Sequence, residues 1–499
     1  TMADHEQRQP ARDFEDHHIH PALQRRKDEG SLRKLTPYFP DNSRTSSASS
    51  SASSSSFIDF SSNDYLGLAQ SSGQNDKVEA TYRKLTSSSS SPSPPIHERS
   101  TNHLVGTTAP RHRRRLLGST GSRLLTGDTT YAHQLEEGLA VWHRREAALI
   151  CNSGYDANLA VLSCLGFHST VIMDELAHNS LHMGVRSSRD CVVRIFQHNS
   201  LDDLEHQLQQ VKKEQKMKHS TDGGNSSNSS SKPPLIVVES VYSMDGDAAP
   251  LTDILELAVR YRACVVVDEA HGLGVYGPTG MGMVEEYRLE DHPALLCSIH
   301  TFGKAAGCHG AVVCGSRSLK QYLYNFGRPI VYSTSLPLHA LVTIECSYRT
   351  MRSWQGSELR RKGRELVQLF RTQITNVLDN TRRKASNHDD RSTTNHQTLS
   401  LVPSDSPIQA LIVPGNKRCV EFCNRLWETS QQTIRLYPIR SPTVPKGQER
   451  VRVIIHSHNT EDEVRYLVCL IEKTVSDVFV GNAGVLDGAH TTDKMMSKL

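Results

Sequence analysis

No apolar run in this 499-residue chain approaches the roughly 18 residues that a membrane-spanning helix needs, so no helical anchor is expected. The N-terminal stretch lacks the apolar core of a secretory signal, and none is read there. Neither sign of charge is in large excess: 57 Lys and Arg stand against 54 Asp and Glu, a net charge of +3. That balance does not by itself imply a nucleic-acid or membrane partner. The eleven cysteines include no Cys-x-x-Cys pair, which argues against a zinc site. Most fall in apolar or small-residue runs, such as Cys264 before three valines, and read as buried reduced thiols rather than disulfides.

Hydrophobic residues are also few, at 36%, but the polar excess is local. Residues 45–56, 87–95, 219–232 and 382–398 are dominated by Ser, Thr, Asn and charged residues. Such segments cannot bury enough apolar surface to offset the entropy of ordering, so disorder is expected. Each lies between segments that look folded and reads as a surface insertion rather than a domain boundary. The basic run Arg111–Arg115 borders one of them and reads as a solvated face, not a nucleic-acid patch.

What is present is an alternation. Short runs of β-branched and aliphatic residues at 147–151, 170–173, 235–238 and 264–267 are each followed by polar and glycine-rich residues, then by a helix-like stretch such as "PLTDILELAVRYR". Continuous apolar runs of this length suit strands covered on both faces of a parallel sheet, and the fold class expected is α/β. Ligands on such sheets bind beyond the carboxyl ends of the strands. The runs place Gly154, Asp174, His178, Glu239, Ser243, Asp268 and His271 there.

Asp268, directly after three valines, needs a cationic or hydrogen-bonding partner if it is buried. With His271 it reads as a structural helix-capping pair, as a metal pair, or as the partner of a protonated pyridine nitrogen. No further ligand spacing supports the metal. Lys304, in "HTFGKAAGCHG", is an amine among small residues with no acid beside it. A lysine can condense with an aldehyde cofactor, and Gly303 and Gly307 leave room for a flat ring and its phosphate. Gly154, ahead of a helix, offers backbone N–H groups to that phosphate, and Thr301 a hydroxyl. His178 is placed to stack on the ring. The set fits pyridoxal 5′-phosphate. A nucleotide phosphate loop fits worse: the G-x-x-x-x-G-K-[ST] spacing is absent and Ala305 follows the lysine.

Taken together, "FSSNDYLGL" (60–68), "GSTGSRLLTGDTTYAHQLE" (118–136), "SGYDAN", "DELAHNSL", "SMDGDAAPL" (243–251), "VDEAHGLGVYG" (267–277), "TFGKAAGCHGA" (301–311), "YSTSLP" (332–337) and "SPTVPKGQERVRV" (441–453) resemble the α-oxoamine synthases. These are pyridoxal-phosphate enzymes of fold type I, and the resemblance runs from about Arg33 to Ile471. It implies a large domain with a mostly parallel sheet flanked by helices and a smaller C-terminal α+β domain. It implies that Lys304 holds the cofactor and acts as general base, that Asp268 pairs with the pyridine nitrogen and that His271 bonds the phenolic oxygen. His178 would stack on the ring and contact substrate. Gly154, Tyr155, Ser243 and Thr301 would line the cofactor pocket, and Arg33 and Thr443 would contact substrate. "KAAGCHG" and "IRSPTVP" are most similar to the branch that condenses L-alanine with a pimeloyl thioester. The alternative is a branch using glycine or serine with another acyl-CoA. The resemblance also implies a homodimer whose "YSTS" segment reaches the partner's site.

The organisation expected is therefore an N-terminal segment at 1–56, a cofactor-binding domain at 57–340, a small domain at 341–480 and a tail at 481–499. Ser497-Lys498-Leu499 matches a peroxisomal import signal, so an import receptor is an expected partner and the peroxisome the expected address, or the cytoplasm if the signal is unused.

Overall fold

The computed structural model describes residues 14–28, 32, 35, 57–87, 117–221, 232–387, 399–441 and 443–480. Seven strands form the larger sheet: β1 (Ala147–Cys151), β2 (Thr170–Asp174), β3 (Val192–Phe196), β4 (Leu235–Glu239), β5 (Cys264–Asp268), β6 (Leu295–Thr301) and β7 (Ala311–Gly315). Their spatial order is β1-β7-β6-β5-β4-β2-β3. Neighbours from β3 to β6 are parallel, and β7 runs antiparallel to both β6 and β1.

The two-sided burial that the apolar runs require is met. Val171, Met173, Leu235 and Val237 pack on one face against Ala157, Val161, Leu181 and Val185 of the helices Gly154–Leu165 and Asn179–Arg186. The residues between them, Ile172, Ile236 and Val238, face Leu204, Leu208, Ile254 and Leu255 of the helices Leu201–Thr221 and Leu251–Tyr261. Period-two alternation thus feeds two cores from one strand, and each buried aliphatic side chain contributes about 1.5–3 kcal/mol. The four strands read from the sequence are all present. β3, β6 and β7 were not read. β3 is an edge strand whose Val192, Val193 and Ile195 remain exposed. β6 carries Ser298 and His300 inside an apolar run, where the two side chains bond each other at 2.9 Å.

A second, antiparallel sheet is built from β8 (Ser400–Leu401), β9 (Ile408–Ile412), β10 (Tyr437–Ile439) and β11 (Arg450–Ile454), in the order β10-β11-β9-β8. The helices Trp354–Asn387, Asn416–Thr429 and Glu461–Val475 supply its core through Phe370, Phe422 and Leu467. The architecture is the large mostly parallel α/β unit with a smaller α+β unit that the resemblance implies. Phe60 also lies in the smaller core, and its carbonyl accepts the Ile454 N–H at 2.8 Å. Position 340 falls inside the helix Leu338–Met351.

Of the segments expected to be disordered, 45–56 lies outside the described residues, as do most of the other three and Arg111–Arg115. Ser87, residues 219–221 and residues 382–387 are instead helical. A helix already nucleated and packed upstream extends by one hydrogen bond per residue, even into polar sequence. No helix among the described residues is long and apolar enough to cross a membrane. All eleven cysteines are free, and only Cys469 is exposed.

Candidate active site

Because β2, β4, β5 and β6 run in parallel, their last residues gather at one end of the sheet: Asp174, Glu239, Asp268 and Thr301. Glu239 lies directly across from Asp268 in the pairing register. The Asp268 carboxylate is buried and held on both oxygens, by Asn158 Nδ2 at 2.7 Å and by the Ala270 N–H at 2.9 Å. Asn158 Nδ2 also donates to Ser180 Oγ at 2.8 Å, which lies 2.7 Å from His178 Nδ1. One hydrogen-bonded chain therefore links Asp268 to His178, which caps the N-terminus of the helix Asn179–Arg186.

Lys304 stands on the hairpin between β6 and β7. Its carbonyl accepts the Gly307 N–H at 2.8 Å, and Cys308 and Phe302 close the loop at 3.0 Å. Gly307 has φ +62°, and a Cβ there would strike the Leu68–Ala69 backbone. Gly307 thus serves the turn and a close chain crossing rather than ligand space, a correction to the sequence reading. Lys304 Nζ lies 2.6 Å from His271 Nε2, and Tyr65 Oη lies 2.5 Å from His271 Nδ1. Burial, aided by the charges of Lys304 and Arg452, drives the His271 pKa well below its usual range. His271 is therefore neutral and accepts from Lys304. Burial also brings the Lys304 pKa down to about 8, against the opposing pull of Asp268 and Glu239. An amine so placed reaches its nucleophilic form near physiological pH.

These side chains suit an aldehyde cofactor with an anionic phosphate. The helix Gly154–Leu165 begins at the crevice, capped by Ser153, and a Cβ on Gly154 would come within 3.0 Å of Thr301 Oγ1. The glycine keeps that cradle open. Asn158 Oδ1 and Glu239 Oε1 are buried there without a hydrogen-bond partner among the described residues. Burial and the neighbouring Asp268 raise the Glu239 pKa well above the ordinary carboxyl range.

Of the residues read from the sequence, the structure links Lys304 to His271 and Asp268 to His178, and sets Gly154 beside Thr301. Ser243 is half-buried on the turn after β4, and Tyr155 is 44% exposed in the first turn of the Gly154 helix. Thr443 is exposed on the turn between β10 and β11, where its N–H donates to the Arg440 carbonyl at 2.9 Å. Arg33 lies outside the described residues, as do Ser497-Lys498-Leu499. Four residues were not read as site residues: Tyr65, Asn158, Glu239 and Arg452. Arg452 projects from β11, donates to Asn63 Oδ1 at 3.0 Å and depresses the pKa of both Lys304 and His271. Its signal was a charge inside the apolar strand "RVRVI".

Among the described residues, two side-chain groups elsewhere have metal-like composition. In one, His143, His300 and Cys314, the histidines already bond Tyr348 Oη at 3.0 Å and Ser298 Oγ at 2.9 Å. In the other, Asp59, His456 and His458, His456 Nδ1 and Nε2 lie 3.1 and 3.0 Å from the carbonyls of Asp59 and Ser62. Both read as hydrogen-bond networks tying segments together.

A depressed lysine, an anchored aspartate and a glycine cradle at the carboxyl end of this sheet define a pyridoxal-phosphate-dependent enzyme of fold type I. A family model for aminotransferase class I and II matches residues 55–471. The chain is 33% identical to an 8-amino-7-oxononanoate synthase of Emericella nidulans over 449 residues, 89% of this chain and 92% of that protein. It is 32% identical to the aminoacyl transferase sphA of Aspergillus fumigatus, covering 72% of this chain and 74% of that one. Among solved structures, a serine palmitoyltransferase of S. paucimobilis superposes with a TM-score of 0.66 at 21% identity, over 85% of this chain and 88% of that one. The 8-amino-7-oxononanoate synthase of Francisella tularensis superposes with a TM-score of 0.58 at 23% identity, over 84% and 98%. The chain belongs to the aminotransferase class I and II family, among the pyridoxal-phosphate acyltransferases of the α-oxoamine synthase type.

Proposed function

We propose that the enzyme joins L-alanine to a pimeloyl thioester, with loss of the thiol and of carbon dioxide, to give 8-amino-7-oxononanoate. The observation that carries this choice is the fungal relative of that name, matched along 92% of its length. Pyridoxal 5′-phosphate supplies an electron sink for the negative charge left at the amino-acid Cα when a proton or carbon dioxide departs. Asp268, fixed by Asn158 and Ala270, would keep the pyridine nitrogen protonated. His271 would face the phenolic oxygen, His178 the ring, and Gly154 and Thr301 the phosphate. Lys304, with its pKa near 8, accepts the Cα proton and can return it, because the neutral His271 beside it takes a hydrogen bond without competing for charge. Arg452 supplies the cation for the substrate carboxylate: its Nε is buried without a partner among the described residues.

Product mass spectrometry with L-alanine and pimeloyl-CoA or pimeloyl carrier protein tests the choice. A mass of 8-amino-7-oxononanoate supports it. Turnover confined to glycine or serine with another acyl-CoA replaces it with a sibling activity of the same family, the second reading. The active form in this reading is a homodimer, with Tyr332, 82% exposed, on the partner-facing segment. A sedimentation mass of one chain would refute that. Peroxisomal import through Ser497-Lys498-Leu499 remains part of the proposal, and unchanged punctate localisation of a fusion lacking those residues would overturn it.

A further inference from the structure

The turn that follows β4, Tyr242–Ala248, carries Ser243 and is fastened from two sides. It is closed on itself by the Tyr242 N–H to the Asp247 carbonyl at 2.9 Å and by the Gly246 N–H to the Tyr242 carbonyl at 2.8 Å. Toward the smaller sheet, Asp245 pairs with Arg450, and the Gly246 carbonyl accepts from Ser404 Oγ at 2.7 Å. Toward the larger sheet, a single imidazole spans two carboxylates: His198 Nδ1 lies 2.9 Å from Asp174 Oδ1 and Nε2 lies 2.7 Å from Asp247 Oδ2. An imidazole donates at both nitrogens only when it carries both protons. Asn199 repeats the link, with its N–H to Asp174 Oδ2 at 2.9 Å and its Nδ2 to Asp247 Oδ2 at 2.7 Å. The Tyr242 ring stands edge-on to His198 at 4.4 Å, and Glu175 accepts the His198 N–H at 2.9 Å.

We propose that His198 is a positioning residue for the cofactor site: its charged ring ties Asp247 to Asp174 and so holds the turn bearing Ser243 against the ends of β2 and β4. The Asp174 side chain is fully buried, and without the imidazolium it keeps the Leu176 and Asn199 N–H groups, with no counter-charge among the hydrogen-bonded partners under that turn. The two carboxylates raise the His198 pKa to about 9, which keeps the link formed at neutral pH. The proposal rests on the assignment of the crevice to pyridoxal phosphate, not on the choice of alanine or of the acyl donor.

The test uses full-length protein, stripped of cofactor by dialysis, as wild type, His198→Gln, Asp247→Asn and the double variant. Amide hydrogen exchange of residues 242–248 and equilibrium titration with pyridoxal phosphate are measured together. The expected result is about tenfold faster exchange at the turn and about tenfold weaker cofactor binding in His198→Gln, an effect at least as large in Asp247→Asn, which also loses the carboxylate that Asn199 reaches, and a double variant no worse than Asp247→Asn. In wild type, protection at the turn drops as pH rises through about 9, and this step is absent from His198→Gln. Unchanged exchange in both variants overturns the proposal, as does faster exchange with unchanged cofactor affinity. Should His198→Gln fail to fold, Asp247→Asn, which leaves His198 on Asp174, carries the test. If wild type binds no cofactor, the assignment of the crevice fails instead, and the exchange data still report on the link.

Discussion

Removing the charge of Arg452 should weaken the amino acid and leave the acyl donor nearly untouched. Arg452 sits on β11 with one nitrogen on Asn63 and a buried Nε without a partner among the described residues. A hydrogen bond to a charged group is worth about 1.5–3 kcal/mol, and each 1.4 kcal/mol is about tenfold in affinity. Arg452→Gln keeps a donor for Asn63 and loses the cation, so KM for L-alanine should rise about 10- to 100-fold. The thioester KM should change less than about twofold. Arg452 also depresses the Lys304 pKa, so in the variant that pKa moves up and the acidic limb of kcat, where the base must lose its proton, shifts to higher pH with it. Arg452→Lys, a cation without the fork, should fall between. Steady-state kinetics with each substrate varied at saturating partner measures all three. An alanine KM within twofold of wild type, or a rise confined to the thioester, refutes the reasoning.

Lys304→Ala should lower turnover by at least about a hundredfold, with the characteristic visible absorbance of the bound cofactor lost. Gly154→Val fills the cradle beside Thr301, and dialysis should strip its cofactor faster than that of wild type, with little change in melting temperature. Phe370→Ala opens a cavity in the smaller core and should cost about 3–5 kcal/mol in denaturant unfolding. Stability of the cofactor-free protein should depend on pH through two opposed groups. His198 has a folded pKa of about 9, above its ordinary 6.5, so its contribution is complete below 6.5 and is lost as pH rises through about 9. Lys304 is depressed to about 8, so it weakens the fold at neutral pH and that penalty is relieved as pH rises from 8 toward its ordinary 10.5. Melting curves of wild type and His198→Gln between pH 6 and 10 separate the two: only wild type loses the first contribution.

The four strands that were legible in the sequence have unbroken apolar runs, because burial on both faces leaves no polar position to blur them; β7, equally apolar and buried, was missed because it is the return arm of the Lys304 hairpin and no helix-like stretch separates it from β6. β6 escaped because Ser298 and His300 satisfy each other inside the sheet, so a buried strand carries polar letters. β3 escaped because its outer side is exposed and its composition matches a loop with valines. Lys304, Asp268, His271 and His178 were legible because each follows a strand or stands in a glycine-lined turn. Tyr65 and Arg452 were not, since they reach the crevice from sequence positions 206 residues before His271 and from the other sheet, a proximity that local pattern does not encode. Glu239 was placed at the crevice but given no task, because an acid after a strand reads the same whether or not its carboxyl is satisfied.

The segment Phe60–Tyr65 touches both ends of the story. Phe60 pairs with Ile454, the Tyr65 carbonyl accepts from Ser457 at 2.9 Å, and the Tyr65 hydroxyl meets His271. During synthesis the early residues therefore wait for a strand almost 400 residues later before they are locked in place. Until β11 has left the ribosome, the larger sheet can form its layers, yet neither Arg452 nor a fixed Tyr65 borders Lys304. The side of the crevice that would receive the amino-acid carboxylate is thus the last to be built in the life of the chain, after the residues that would hold the cofactor.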